Sequence, residues 1–372
     1  MGLGVIKSYI YSFAARFSHI ALILGLAISY LLSEFDGLLY FHAAFGVIFG
    51  VAIIFRIIWG FIGTKYSKFS DFKFSGLGGY FLSFFSKKEK FIGHNPASSI
   101  AIIIMLSLGF ICVISGLMLY GIDENSGIFA FLYNNYNELK FVKSIHEVSA
   151  NLLLIVAIIH ICGALIDKFI HKNDALNSMI TGYKLTKNDE SVKANLAQKI
   201  FCLVWILAII AAFLYILNRD NFILKSHALK VDYSSQNAVF AKECGSCHML
   251  YPPFLLPKKS WEIMMANLEN HFGDDASIDE EANQNILNFL LANSAQMNSN
   301  KTAFNILKYA KNDQNIAITQ NEYWIKKHRK IDEKVFLRDD IKSKANCTAC
   351  HKDIQNGIIQ KSLIDYEKIK RF

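Results

Sequence analysis

The sequence predicts an all-α protein in two parts, a bundle of membrane-spanning helices followed by a small, polar, helical domain. Three observations predict it. Five apolar runs, at roughly 15–33, 38–62, 98–120, 145–168 and 200–218, approach the about 20 residues that a helix needs to cross a bilayer. Past Arg219 the chain turns polar, with no sustained period-two alternation to mark strands. That polar part holds two Cys-x-x-Cys-His motifs, Cys244–His248 and Cys347–His351. A length of 372 residues has room for both parts, and a mean hydropathy of +0.27 averages an apolar part with a polar one.

The first run, with Lys7 and Arg16 before or within it, is followed by no small-residue cleavage site and reads as an anchor. Loop charge orients the rest. The 63–97 loop carries Lys65, Lys68, Lys73, Lys87, Lys88 and Lys90, and the 169–199 segment carries Lys172, Lys184, Lys187, Lys193 and Lys199, so both belong inside. The loop with Glu34 and Asp36 has no Lys or Arg and belongs outside. The 121–144 loop, where Lys140 and Lys143 face Asp123, Glu124 and Glu138, does too. The N-terminus is then cytoplasmic, and five crossings leave the polar domain outside. The net charge of +8 comes from 39 Lys+Arg against 31 Asp+Glu and is accounted for by this loop charge. Neither part has the basic excess of a nucleic-acid binder, so no nucleic-acid partner is expected.

Cys-x-x-Cys-His is the pattern of covalent c-type haem attachment. Cys244 and Cys247, and again Cys347 and Cys350, reach the two vinyl groups of one porphyrin, while His248 and His351 meet the iron. Attachment of this kind takes place outside a bacterial inner membrane, which independently demands an outer location for the domain. Cys112, Cys162 and Cys202 lie in apolar runs and pack as small hydrophobes. Helices are expected at 234–245, 258–272, 279–293 and 302–311, with Asp275 to Asp279 as the cap region of the third. His271 follows His248 by 23 residues and His328 precedes His351 by 23, so both read as distal ligands of two bis-His haems. Met264, Met265 and Met297 are rival ligands, though Met at helical spacing is more often core; His227 reads as a surface residue.

Four histidines lie within spans, and an ionisable residue there is a functional candidate. One alone could equally bond to a neighbouring helix, but the depths of the four pair up. His42 and His146 lie near the outer side, His19 and His160 near the inner side. His146 and His160 are 14 residues apart, about 21 Å along one helix face. Two b-type haems, each clamped by two imidazoles, explain this. The bundle is then four haem-bearing helices plus a fifth anchor helix. Gly46 and Gly50 follow His42 on the same face, where a flat macrocycle or a close helix contact would need them. Arg56 lies at the depth of the inner haem, where it either pairs with a propionate or snorkels to headgroups beside Trp59.

Several pieces occur in order across residues 10–185: Arg16-Phe17-Ser18-His19, His42, Arg56-x-x-Trp59-Gly60, Phe61 to Phe69, His94-Asn95-Pro96, His146-Glu147, His160 and Met179 to Lys184. This part resembles the bacterial cytochrome b-561 and nickel-hydrogenase b-type cytochrome family, with Ser67-Lys68 as a minor departure. The resemblance implies a di-haem cytochrome b exchanging electrons with quinone or a partner dehydrogenase or hydrogenase. The His94-Asn95-Pro96 turn would then lie near a quinone head group, or serve only to open the third helix. Cys244 to Pro253, Leu256 to Trp261, His271 to Ser277, Trp324 to Arg329 and Ala345 to His351 resemble the di-haem cytochrome c family. That resemblance implies a periplasmic electron carrier.

The expected organisation is a di-haem cytochrome b domain over 1–185, a linker with the fifth helix over 186–230, and a periplasmic di-haem cytochrome c domain over 231–372. The expected function is transmembrane electron transfer through two haems b and two haems c. It would connect the quinone pool or a dehydrogenase to a periplasmic acceptor across the inner membrane, in contact with lipid. The alternatives are a membrane-anchor subunit of a hydrogenase or reductase, and a terminal reductase with an open c-haem.

Overall fold

The structure, a computed structural model, describes residues 6–82, 91–170, 173, 175–310 and 315–370. Lys87, Lys88, Lys90 and Lys172, used above for orientation, lie outside the described residues. Five long apolar helices span Phe13–Ser33, Leu39–Ile62, Pro96–Glu124, Phe141–Phe169 and Leu196–Leu217. They are hereafter the first to fifth spanning helices. Each is long and apolar enough to cross a membrane. Their outward faces leave Ile20, Ile23 and Leu24, Ile155, Ile158 and Ile159, and Leu203, Leu207 and Ile210 exposed, which is the surface lipid would cover.

Local chemistry sets the ends. Ser12 caps the first helix by accepting from the Ala15 N–H. Asn95 accepts from the Ser98 N–H with Pro96 as the first helical residue of the third. Asn195 and Gln198 form a reciprocal capping box on the fifth. The Gln198 amide also donates to the carbonyls of Ile62 and Gly63, satisfying the end of the second helix. Along these two helices Phe55, Trp59, Phe201 and Trp205 stack with centroids 5.6–6.2 Å apart. The third helix has 29 residues, about 43 Å, more than a bilayer core requires.

One element has no signature in the sequence. Ile6–Tyr9 and Tyr183–Thr186 form a two-stranded antiparallel sheet, with Tyr9 opposite Tyr183. Four residues a side are too few to show a period. Gly182 turns the chain into it at φ +89°, and its carbonyl accepts from Ile10 and Tyr11. A Cβ there would lie 2.5 Å from the Tyr9 ring, so the glycine before Tyr183 is a packing requirement.

Contacts divide the chain into two units. One comprises residues 1–35, 40–117 and 142–221; the other comprises 36–39, 118–141 and 222–372. The connections between the first and second, and third and fourth, spanning helices thus belong to the second unit, called the outer unit hereafter after the orientation expected from loop charge. Among the described residues, two apolar cores fall in that unit. Tyr233, Phe240, Leu256, Trp261, Met265, Ile286 and Leu290 build the first, with Cys244 against it. Phe254, Leu255, Ala295, Ala303, Ile306 and Ile354 build the second, with Cys347 against it. Each motif therefore has its own lobe.

The helices around the first core are Ala238–Gly245, Lys258–Met265 and Glu280–Ala292. Asn237 caps the first of them through the Phe240 N–H, which breaks the helix expected from 234. Asp279 caps the third through the Ala282 N–H. The helix expected over 258–272 stops at Met265, and a single turn follows over Leu268–Asn270. His271 therefore sits in a tight turn, paired with Asp274, with Phe272 at φ +58° and Gly273 at φ +102°. Lys301–Tyr309 serves the second core. A further helix, Glu322–His328, was not expected; Asn321 starts it by accepting from the Tyr323 N–H.

Candidate haem-binding sites

The second and fourth spanning helices bring His42 and His146 together, with ring centroids 6.1 Å apart and planes at 86°. His42 Nδ1 lies 2.8 Å from the Ser29 carbonyl and His146 Nδ1 3.0 Å from the Cys112 carbonyl. A ring that gives its Nδ1–H to a carbonyl has its tautomer and orientation fixed, leaving Nε2 as the free ligand atom. Gly116 makes room for this: a Cβ would lie 2.8 Å from the His146 ring. At Gly46 a Cβ would meet nothing within 4 Å, whereas at Gly50 it would lie 2.9 Å from Val113. The two glycines thus differ in their surroundings, open space beside Gly46 and helix packing at Gly50.

At the other end of the bundle His19 lies within electrostatic reach of His160 and Arg56. Arg56 lies over Phe69 and Phe72, its guanidinium carbon 5.4 and 5.9 Å from their centroids. One of its terminal nitrogens is buried without a partner, as is Nε of Arg16, whose Nη1 donates to the Ile180 carbonyl. Buried donors on two cations are costly unless an anion meets them. His94 joins this end, 4.8 Å from Phe72 and 5.6 Å from Tyr11. Burial, with Arg56 next in effect, pushes the His94 imidazole down to about 3, so it is neutral at physiological pH. The sequence reads Arg16 as charge on the inner side and as part of the Arg16-Phe17-Ser18-His19 piece; the burial of its Nε depends on tertiary packing.

In the outer unit His248 faces His271 with centroids 6.2 Å apart, and His351 faces His328 at 6.1 Å. Each motif histidine meets the candidate nearer in sequence. His248 Nδ1 is 2.8 Å from the Met249 carbonyl, and His328 Nδ1 is 2.8 Å from the Trp324 carbonyl. Trp324 also stacks on His328 at 4.2 Å and 16°. Burial, aided by His328, pushes His351 down to about 4, the neutral form that a metal needs. Burial pushes the Cys244 and Cys347 thiols up to about 11, so both pack as neutral groups. Met265 is buried in the first core with Met264 beside it, and Met297 is exposed.

The spacing has a simple meaning. Two imidazoles binding one ion from opposite sides at about 2 Å place their centroids about 6.3 Å apart, counting about 1.1 Å from nitrogen to centroid. Three pairs meet that distance, and among the described residues no cluster of three or more His, Cys, Asp or Glu offers a different metal site. The donor sets fit haem.

The fold and its paired imidazoles define a membrane electron-transfer cytochrome with an attached c-type domain. Residues 11–182 match the family described as prokaryotic cytochrome b561, and residues 240–359 match dihaem cytochrome c, the family to which that segment belongs. Among curated proteins it is similar to the "Probable Ni/Fe-hydrogenase B-type cytochrome subunit" of Rhodobacter capsulatus, 26% identical over 40% of this chain and 63% of that one. The chain thus spans somewhat under two thirds of that relative. A "Probable Ni/Fe-hydrogenase 1 B-type cytochrome subunit" of Escherichia coli is 24% identical over 39% of this chain and 69% of that one. Among solved structures, the dihaem cytochrome c of Shewanella baltica is 33% identical, covering 37% of this chain and 95% of that one, with a TM-score of 0.30. That of Rhodobacter sphaeroides is 31% identical, covering 35% and 100%, with a TM-score of 0.30.

Proposed function

We propose that this protein carries electrons across the bacterial inner membrane, between the quinone pool or a partner dehydrogenase and a periplasmic acceptor. The observation that carries the reading is the repeated imidazole pair at 6.1–6.2 Å, once in the bundle and twice in the outer unit. His42 and His146 would hold an outer haem b, and His19 and His160 an inner one. His248 with His271, and His351 with His328, would hold two haems c tethered by Cys244, Cys247, Cys347 and Cys350. Bound haem supplies one-electron chemistry; the chain supplies ligation, spacing and exclusion of water. Arg56 and Arg16 present their unpartnered donors to propionates of the inner haem. Neutral His94 at the same end supports a quinone contact there. A second imidazole facing each motif histidine favours closed irons over a terminal reductase.

Likeness to hydrogenase b-type subunits favours a second reading, in which this chain anchors a hydrogenase or related dehydrogenase and takes its electrons. Two measurements decide. A pyridine haemochrome spectrum of the purified chain is expected to give two b and two c haems; a b:c ratio far from one would overturn the ligand scheme. Purified protein in proteoliposomes is expected to pass electrons from a quinol analogue to its c-haems; failure to do so alone would favour the anchor reading.

A further inference from the structure

The two imidazole pairs of the outer unit lie in unlike surroundings. The second lobe is bound to the connections between the spanning helices. Lys301 pairs with Asp123, Lys361 Nζ lies 2.8 Å from Asp36, and the Lys361 N–H donates to Glu124 at 2.7 Å. Phe304 packs against Tyr136 at 5.3 Å. His328 and His351 are partly buried there, His328 beneath Trp324. In the first lobe His248 and Cys247 are exposed, and Phe272, next to His271, is 60% exposed. Tyr251, 5.0 Å from the His248 ring, donates to the Ala345 carbonyl at 2.7 Å, linking the two sites.

Charge divides the same way. Residues 301–372 hold sixteen Lys and Arg against nine Asp and Glu, while residues 232–300 hold three against nine. Lys242 and Lys259 pair with Glu243 and Glu262. Glu269, Asp274 and Asp275, beside His271, are exposed.

We infer that the first-lobe site, His248 with His271, is where electrons leave or enter the protein, and that its partner is a soluble redox protein with a positively charged face. The second-lobe site exchanges electrons with the membrane side. This rests on the proposed function. In the forward direction one electron leaves the first-lobe site, which is oxidised, and reduces the partner's metal; no bond or proton changes place. The exposed Phe272 gives the contact an apolar centre, and the carboxylates around it select by charge.

The test uses the full-length, haem-loaded protein in detergent. The probes are lysine-rich mitochondrial cytochrome c, the same protein with its lysines succinylated, and a zinc-substituted cationic form that cannot accept electrons. The cationic probe is expected to oxidise the reduced c-haems about tenfold faster at low than at high ionic strength, and about tenfold faster than the succinylated probe. Glu269→Lys with Asp274→Lys is expected to weaken binding of the zinc form about tenfold at unchanged haem content, whereas Lys330→Glu with Lys334→Glu leaves it unchanged. Equal or faster reaction with the succinylated probe, or sensitivity confined to the Lys330/Lys334 pair, would overturn the inference. Binding of the zinc form needs no electron flow, so failure of the electron-relay reading alone would leave that measurement intact.

Discussion

The bundle and the outer unit bring imidazoles to the same separation by opposite means. In the bundle the facing rings sit on long helices, His42 and His146 each oriented by a neighbouring helix's backbone carbonyl. In the outer unit His271 stands in a tight turn and His351 follows a single turn of 3-10 helix, with short helices packed around them. A helix in lipid satisfies its own backbone, so it provides a rigid post without a large core. A small polar domain lacks such posts, and the covalent tether proposed for its haems would compensate. On the proposed reading, the bundle sites depend wholly on their imidazoles and the outer sites do not.

Substitutions can break this contrast. His146→Ala is expected to remove one haem b outright, changing the b:c ratio from 2:2 to 1:2 in a haemochrome spectrum. His271→Met is expected to leave haem content unchanged and to raise the potential of one c-haem by on the order of 100 mV in a redox titration. Loss of haem c in that variant, or retention of both haems b in the first, would erase the distinction. Arg56→Gln removes a buried cation and is expected to lower the inner b-haem potential by roughly 60 mV, one decade in a one-electron equilibrium. Gly50→Ala is expected to cost about 1–3 kcal/mol by crowding Val113, seen as a lower thermal midpoint. Asp36→Asn, which frees Lys361 at an exposed pair, should cost less than about 1 kcal/mol by the same measurement.

The spanning helices were legible because twenty apolar residues have few other uses in a chain, and the haem motifs because their spacing is chemical rather than conformational. Their exact lengths were less so. The third helix continues to Glu124 because its last turns pack within the outer unit, where Asp123 and Glu124 meet Lys301 and Lys361. The turn at His271 was missed because Lys258 to Phe272 reads as helix by propensity; Phe272 and Gly273 adopt positive φ, which propensity does not foresee. The strand pair at Ile6–Tyr9 is defined by a partner almost 180 residues away.

By itself the sequence determined the fold class, the two Cys-x-x-Cys-His motifs and the positions of His19, His42, His146 and His160 along their helices, because hydropathy, motif spacing and helical rise are local quantities. Only the tertiary structure decided which distal histidine faces which motif, since sequence separation does not fix distance across a loop. It alone decided that Arg56 lies over the rings of Phe69 and Phe72, and that Gly46 borders open space while Gly50 meets Val113. Each of those outcomes depends on what a neighbouring element places opposite the residue.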